Sequence, residues 1–146
     1  MSKRRIKKVA IIGSGIMGSG IACHFANIGV DVLLLDIVPR ELNDKEKAKG
    51  LALEDKVVRN RLVNDAERLD IKQQVFENLE KYRTPGTLIT SNTSGIPIKF
   101  MNEGRSEDFQ KHFCGTHFFN PARYLKLFEI IPGPNTDPSV LEFLNE

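Results

Sequence analysis

The chain has 146 residues, of which 40% are hydrophobic and 27% charged, and its net charge is +2. This composition is typical of a globular domain rather than a disordered segment, the charge is too small to indicate a nucleic-acid partner, and no apolar run is long enough to cross a membrane. The two cysteines lack the spacing of a disulfide framework or of a metal site, which favours a reducing, cytoplasmic compartment.

The first part of the chain predicts a strand, a helix and a second strand. Residues 7–12, KKVAII, predict a strand buried on both faces, and residues 30–36, VDVLLLD, predict the next buried strand. Between them, apolar residues recur at helical spacing from Gly15 to Ile28, and Gly29 follows as a C-terminal cap. This order forms a βαβ unit and therefore predicts a parallel sheet.

The remaining elements are predicted from the spacing of apolar residues and from residues that favour turns. The highly charged stretch 39–63 has a ragged apolar face, so we expect a protruding helix or helical hairpin rather than a core helix. The other predicted elements are a helix at 70–82, a strand at 87–91, a short helix after Pro97, strands at 113–119 and 125–131, and a final helix after the loop 132–139.

A glycine-rich turn separates the first predicted strand from the first predicted helix. Residues 13–18, GSGIMG, match the pattern G-x-G-x-x-G. In this pattern Gly13 permits a tight turn, Gly15 lets the backbone approach a pyrophosphate, and Gly18 allows the helix to pack closely on the strand. The N–H groups at the start of the helix, where Ile16 and Met17 lie, favour phosphate binding. The position of the pattern makes a dinucleotide site the preferred interpretation over a purely structural turn.

An acidic residue lies where such a site needs one. Asp36 ends the second predicted strand, eighteen residues after Gly18. A carboxylate at this position binds the ribose hydroxyls and repels a 2′-phosphate, which favours NAD over NADP. Arg40 lies close enough to keep NADP open as an alternative.

A second candidate site lies in residues 115–131, GTHFFNPARYLKLFEII, where His117 and Glu129 stand among apolar residues. Such a pair is either a satisfied structural contact or a dyad for proton transfer. His117 is expected at a strand end of an open parallel sheet, where ligands gather, and this favours proton transfer. His24 and His112 lack this context, and we expect structural roles for both.

Four segments, in this order, resemble the NAD-binding domain of the 3-hydroxyacyl-CoA dehydrogenases: KVAIIGSGIMGSGIA, SNTSGIPI, GTHFFNP and LKLFEII. The last three are more specific than the glycine pattern. The resemblance implies an α/β, Rossmann-like, doubly wound fold with a mainly parallel sheet over 1–146. It also implies the oxidation of (3S)-3-hydroxyacyl-CoA to 3-oxoacyl-CoA by NAD in fatty-acid β-oxidation.

The resemblance implies roles for individual residues. His117 matches the family's general base, Glu129 matches the carboxylate that orients it, and Ser94 matches the serine that contacts the substrate hydroxyl. The other implied residues are the catalytic Asn120 and, near the cofactor, Glu67, Lys72 and Asn92.

These residue types suit the oxidation of an alcohol. As hydride leaves the carbon, the hydroxyl proton must be removed, and a neutral imidazole accepts protons near physiological pH. A carboxylate on the other ring nitrogen fixes the tautomer and stabilises the imidazolium, and apolar surroundings strengthen this ion pair. Ser94 and Asn120 are expected to hold the oxygen so that the carbon faces the nicotinamide.

Two parts of the family's pattern have no counterpart in the chain. In the family, two strands and an intervening helix precede the acid that matches Glu67, so a missing internal segment is predicted between 66 and 67. The all-helical domain that shapes the acyl pocket and forms the homodimer is also without counterpart. The parent protein is expected to be a dimer and, in one arrangement, to carry a fused enoyl-CoA hydratase domain.

Two other functions remain open from the sequence. The chain could be a nucleotide-binding module of the same fold without turnover, or its parent could act on a small free 3-hydroxy acid instead of an acyl-CoA. A basic face formed by Lys56, Arg59 and Arg61 is expected to be an ordinary solvated surface rather than a contact for CoA phosphates.

Overall fold

A computed structural model describes residues 5–36, 41–59, 68–119, 124 and 127–145, without the side chain of Arg59. The chain divides into two compact units, one comprising Ile6–Ala66 and the other Met1–Arg5 together with Glu67–Glu146. Both units contain helices and strands, and two of the three described strand pairings are parallel. The predicted α/β class is therefore confirmed.

The Ile6–Ala66 unit begins with the predicted βαβ arrangement. Strand β1 spans Lys8–Ile12, helix α1 spans Ile16–Asn27 and strand β2 spans Asp31–Leu35. The two strands pair in parallel, from Lys8 opposite Asp31 to Ile12 opposite Leu35. Gly29 lies just after α1 with φ +82°, a conformation that glycine adopts without strain, and its N–H donates to the carbonyl of Ala26 over 3.0 Å.

The predicted burial of these strands on both faces is wrong. No residue of β1 or β2 is buried, and Leu33, Leu34 and Leu35 are 51%, 40% and 43% exposed. Within the described residues this sheet has two strands, so each strand is an edge there, and α1 is the only helix of this unit with substantial described contacts to it. A βαβ unit with a single helix covers one face of its strands, and the apolar sequence alone does not reveal that the other face stays open.

The charged stretch after β2 forms two short helices in its described part, 41–59, rather than one long helix. Helix α2 spans Asp44–Ala48 and helix α3 spans Lys56–Arg59. Gly50 follows α2 with φ +66°, which ends the helix. Val58 is fully buried, so the prediction of a merely protruding segment is wrong for this position. Of the predicted basic face, Lys56 is exposed, whereas the side chains of Arg59 and Arg61 lie outside the described residues.

The larger unit contains the remaining elements: α4 Leu69–Tyr82, β3 Ile89–Ser91, α5 Ile98–Met101, α6 Glu107–Lys111, β4 Phe113–Phe118, β5 Phe128–Pro132 and α7 Pro138–Leu144. Its strands are ordered β3–β4–β5. Strand β3 is parallel to β4, and β5 is antiparallel to β4. Strand β4 is thus paired on both edges along part of its length.

An apolar core fixes β4 within this unit. The rings of Phe76 on α4, Phe109 on α6 and Phe113 on β4 meet with centroid distances of 5.0 to 5.9 Å. Ile98 and Met101 of α5 complete the cluster. Because the first four residues of β4 are buried, the later residues of the strand are held in a defined position at the rim of the core.

Candidate active site

The two strands β4 and β5 bring His117 and Glu129 together. In their antiparallel register these residues are direct partners, so both side chains stand on the same face of the sheet. The imidazole Nδ1 lies 3.0 Å from Oε2 of Glu129. A separation of twelve residues in the sequence thus becomes a direct contact, because the chain returns along β5 with this register.

The loop after β3 supplies the third member of the group. Parallel pairing places Ser91 of β3 opposite Gly115 of β4, so the residues after Ser91 lie beside His117. The hydroxyl of Ser94 is 3.0 Å from the imidazole Nε2. With the Glu129 carboxylate accepting from Nδ1–H, Nε2 carries the lone pair and accepts from the Ser94 hydroxyl. The three side chains form a continuous chain of hydrogen bonds.

Two neighbours hold this end of β4 in place. The carboxamide oxygen of Asn92 accepts a hydrogen bond from the N–H of Phe118 over 2.7 Å, which ties the loop after β3 to the strand next to His117. The ring of Phe119 meets the imidazole edge-on with a centroid distance of 4.7 Å. Asn92 was predicted to lie near the cofactor. The contact between the rings of Phe119 and His117 was not predicted, because the sequence shows that the two residues are two positions apart but does not show how their rings are oriented.

The pair is less buried than its apolar sequence context predicted. The side chain of His117 is 25% exposed and that of Glu129 is 50% exposed. Alternation along β4 and β5 explains the difference, because apolar neighbours in sequence point to the opposite face of the sheet. Water weakens the attraction between the two groups at this exposure, so the hydrogen-bond geometry matters more than the charge. The same exposure leaves Nε2 and Ser94 open to a substrate.

In the other unit, the glycine turn has the steric requirements that its pattern predicted. Gly13 has φ +104°, a region that favours glycine, and its N–H donates to the carbonyl of Leu35 over 2.7 Å. A Cβ atom on Gly18 would lie 1.8 Å from the carbonyl oxygen of Gly13, so α1 approaches the turn as closely as a backbone can. Gly15 is the N-cap residue of α1 and has no side chain to cover the helix terminus.

Asp36 lies at the same turn. The hydroxyl of Ser14 donates a hydrogen bond to its carboxylate, and the hydroxyl of Ser19 donates to the carbonyl of Ser14 over 2.8 Å. The side chain of Ile16 at the start of α1 is 82% exposed. An open helix N-terminus next to a carboxylate therefore offers N–H donors for phosphates and an acceptor for ribose hydroxyls, which fits a dinucleotide.

Three other predicted residues do not extend the geometry described above for the glycine turn and for Ser94, His117 and Glu129. Asn120 and Glu67 lie outside the described residues. Lys72 is half-buried in the first turn of α4, where its N–H donates to the carbonyl of Arg68 over 3.2 Å. The ligand contact implied for it by the family resemblance remains a prediction.

The histidines expected to be structural have structural contacts. His24 packs edge-on against Phe25 on α1 with a centroid distance of 6.0 Å. His112 follows α6, and its Nδ1 donates to the carbonyl of Asp108 over 2.8 Å. Among the described residues, His24 has neither a carboxylate nor a hydroxyl partner, and His112 has only the carboxylate of Asp108, whose Oδ1 lies 3.4 Å from Nδ1.

Two groups with displaced pKa values lie outside this chain of hydrogen bonds. The N–H of Gly86 and the guanidinium of Arg83 lower the pKa of Asp108 below its ordinary value. Burial raises the pKa of the Cys114 thiol from 9.0 to about 11. Cys114 lies on β4 three residues before His117 and is fully buried, so it is protonated and shielded rather than a nucleophile.

The described part of the chain contains no group of three His, Cys, Asp or Glu side chains arranged to hold a metal ion. In the same part, no helix is both long and apolar enough to span a bilayer.

Comparison with known families gives a consistent match. The family model described as "3-hydroxyacyl-CoA dehydrogenase, NAD binding domain" matches residues 8–66 and 61–146. A Bacillus subtilis protein named "Probable 3-hydroxyacyl-CoA dehydrogenase" is 42% identical over 185 residues, a match that covers 97% of this chain and 23% of that protein. A rice protein, "Peroxisomal fatty acid beta-oxidation multifunctional protein", is 30% identical, with 97% and 23% covered.

A solved structure shares the fold. The 3-hydroxybutyryl-CoA dehydrogenase of Escherichia coli superposes with a TM-score of 0.74 at 30% identity, over 97% of this chain and 35% of that chain. The chain thus spans about a quarter to a third of the length of these three proteins.

Proposed function

Since the chain belongs to the family of NAD-binding domains of 3-hydroxyacyl-CoA dehydrogenases, we propose that it is part of an NAD-dependent enzyme that oxidises (3S)-3-hydroxyacyl-CoA to 3-oxoacyl-CoA in fatty-acid β-oxidation. The family resemblance of the four sequence segments is confirmed by this match. The observation that carries the proposed reaction is the chain of hydrogen bonds through Ser94, His117 and Glu129.

The proposed proton transfer begins at Nε2 of His117. This nitrogen takes the proton of the substrate hydroxyl, and the imidazolium that forms is stabilised by Glu129 at Nδ1. Ser94 is placed to hold the substrate oxygen, since its hydroxyl already occupies the hydrogen-bonding position on Nε2. Asn120 is proposed as a further catalytic residue on the family resemblance. At this site a bound NAD would supply the hydride acceptor for the reaction.

We propose that the glycine turn holds the cofactor. A side chain would meet open space at Gly13, and Gly15 carries none at the start of α1, where the N–H groups of Ile16 and Met17 lie, whereas Gly18 lets α1 pack against the turn. Asp36 binds the ribose hydroxyls of the adenosine half, which selects NAD over NADP. Glu67, Lys72 and Asn92 are proposed as further cofactor contacts on the family resemblance.

The substrate and partners of the whole protein are part of the same proposal. An acyl-CoA substrate is supported by the name of the Bacillus relative, and a fused enoyl-CoA hydratase domain by the rice relative, which is named as a multifunctional β-oxidation protein. The homodimer is proposed on the family resemblance. We place the protein in the cytoplasm because its cysteines are free, although the rice relative is named peroxisomal.

We also propose that an internal segment is missing near residue 66. The family model matches the chain as two stretches that meet at 61–66 instead of as one. The match to the Bacillus protein extends over 185 residues, whereas the chain has 146, so at least 39 positions of that match have no residue here. The exposed leucines of β2 are the kind of surface that further strands of such a segment would cover.

The test is the reduction of acetoacetyl-CoA by NADH, comparing the unmutated full-length parent protein with its His117→Ala variant. We expect a loss of about a hundredfold or more, because general-base catalysis contributes 10²–10⁴. Binding of NADH, followed by fluorescence, is expected to stay unchanged. His24→Ala is the matched control, since it removes another half-buried imidazole without the two partners.

Two results would contradict the proposal. Full activity of His117→Ala would exclude this residue as the base. An unmutated protein that binds NADH but turns over no substrate would instead be a nucleotide-binding module.

A further inference from the structure

The order of groups Ser94–His117–Glu129 is also the order of a nucleophile, a base and an orienting carboxylate. The Ser94 oxygen lies 3.0 Å from Nε2, and the Glu129 oxygen lies 3.0 Å from Nδ1. In acyl transfer, this arrangement removes the proton from the serine hydroxyl while the hydroxyl attacks a carbonyl carbon. The two distances are within the range that such catalysis requires.

The surroundings of Ser94 suit this chemistry as well. Ser94 is exposed, so a substrate carbonyl can reach its oxygen. Gly95 follows with φ +80°, and its N–H donates to no other group in the part of the chain that the structure describes. The N–H of the residue after a nucleophilic serine is a common donor to the oxyanion that forms on attack. A nucleophile, a base and an oxyanion donor are therefore adjacent.

We propose that this site has a second activity that needs no nicotinamide cofactor: Ser94 accepts the acyl group of carboxylic esters and thioesters, and water releases it as the free acid. We expect a short acyl chain on a good leaving group to report this activity, because Ser94 is exposed. This activity does not rest on the dehydrogenase reaction, and either one can be present without the other.

The steps balance without a further reactant. The Ser94 oxygen bonds to the acyl carbon, its proton moves to Nε2 of His117, and the bond from the acyl carbon to the alcohol or thiol breaks. The proton on Nε2 then passes to the leaving group. In the second step His117 takes a proton from water, the hydroxide bonds to the acyl carbon, and Ser94 recovers its proton as it leaves.

The first test is the hydrolysis of p-nitrophenyl acetate by the whole chain without NAD. We expect a burst of p-nitrophenol followed by slow turnover, and a fall of about a hundredfold in the burst rate for Ser94→Ala and His117→Ala. Ser139→Ala is the matched control, since it removes another exposed serine that has no imidazole partner among the described residues. Ser94→Cys is expected to keep the burst, because a thiol is the stronger nucleophile.

The second test is covalent labelling by a fluorophosphonate, which loses fluoride to an activated serine. Peptide mass spectrometry is expected to find the added group on Ser94, and His117→Ala is expected to abolish it while circular dichroism shows an unchanged fold. The proposal is overturned if Ser94→Ala and Ser139→Ala hydrolyse the ester as fast as the unmutated chain, or if the label is absent from Ser94. Loss of NADH-dependent activity with retained labelling would contradict the dehydrogenase instead.

Discussion

At the scale of single residues, the exposed fractions of His117 and Glu129 determine how strongly these two groups attract each other. The sequence indicated these two residues as a candidate proton-transfer pair, and the family resemblance added Ser94. The exposure of that group was not predictable, because it depends on which face of β4 and β5 each side chain occupies and on what covers that face. At 25% and 50% exposed, the side chains of His117 and Glu129 lie at a solvent-facing rim and not in an apolar interior.

The cysteines give a pH-dependent prediction at the same scale. Burial raises the pKa of Cys114 from 9.0 to about 11, so the folded state holds this proton more tightly than the unfolded state. The stabilisation is complete below pH 9 and is lost as the pH rises toward 11. We expect the urea midpoint of Cys23→Ser to fall across this window, and Cys114→Ala, which lacks the group, to fall less.

Thiol labelling at pH 8 measures the same burial. In the unmutated chain, 5,5′-dithiobis(2-nitrobenzoate) is expected to react rapidly with the exposed Cys23 and about a hundredfold or more slowly with Cys114, which must await opening of the fold. Equal rates for the two thiols would show that β4 is not packed as described.

At the scale of elements, predictions that rest on local chemistry agree with the structure. The extents of β1, α1 and α4 follow from short apolar runs, a glycine cap and helical spacing. The short helix α6 was not predicted, although Ser106 caps it by accepting from the N–H of Phe109 over 3.2 Å. Five residues are too few to show a period, so in a segment of this length the cap was the only available signal.

Predictions that depend on partners at a distance were the ones that failed. The burial of β1 and β2 was inferred from composition, but exposure depends on how many strands and helices join the sheet. The antiparallel direction of β5 likewise follows from the return of the chain after β4, which no local pattern encodes.

The glycine turn gives a prediction at this scale. Gly18→Ala places a Cβ against the carbonyl of Gly13, so we expect a loss of about 1–3 kcal/mol in the free energy of unfolding and loss of NADH binding, as the turn is pushed away from α1. Gly29→Ala is the control, because a Cβ there meets nothing within 4 Å and only backbone strain of about 1 kcal/mol arises. Equal NADH binding by the two variants would contradict the role of Gly18 in the cofactor site.

At the scale of the whole molecule, the two proposed tasks belong to different units. The glycine turn and Asp36 lie in Ile6–Ala66, whereas Ser94, His117 and Glu129 lie in Glu67–Glu146. The glycine pattern predicted the first group, and the apolar context of His117 and Glu129 together with the family resemblance predicted the second. It did not reveal the division of the chain, because this depends on contacts between distant residues.

This division predicts separable effects of substitution. Asp36→Ala is expected to weaken NADH binding about tenfold or more, since the ribose loses its carboxylate acceptor, while the labelling of Ser94 stays unchanged. Asp31→Ala is the matched control, because Asp31 is an exposed carboxylate at the opposite end of the same strand. Titration of each variant with NADH measures the effect, and equal affinities would remove Asp36 from the cofactor site.

Glu129 accepts from Nδ1–H of His117 and leaves the lone pair of Nε2 to face Ser94. Nitrogen NMR of chain labelled with ¹⁵N-histidine measures which nitrogen carries the proton, with the His117 signals identified by their absence in His117→Gln. We predict a proton on Nδ1 and none on Nε2 in the neutral imidazole, and a shift toward the other tautomer in Glu129→Gln with His24 and His112 unchanged. A proton on Nε2 of the neutral imidazole in the unmutated chain would contradict this assignment of the tautomer. A His117 spectrum that is the same in the unmutated chain and in Glu129→Gln would contradict it as well.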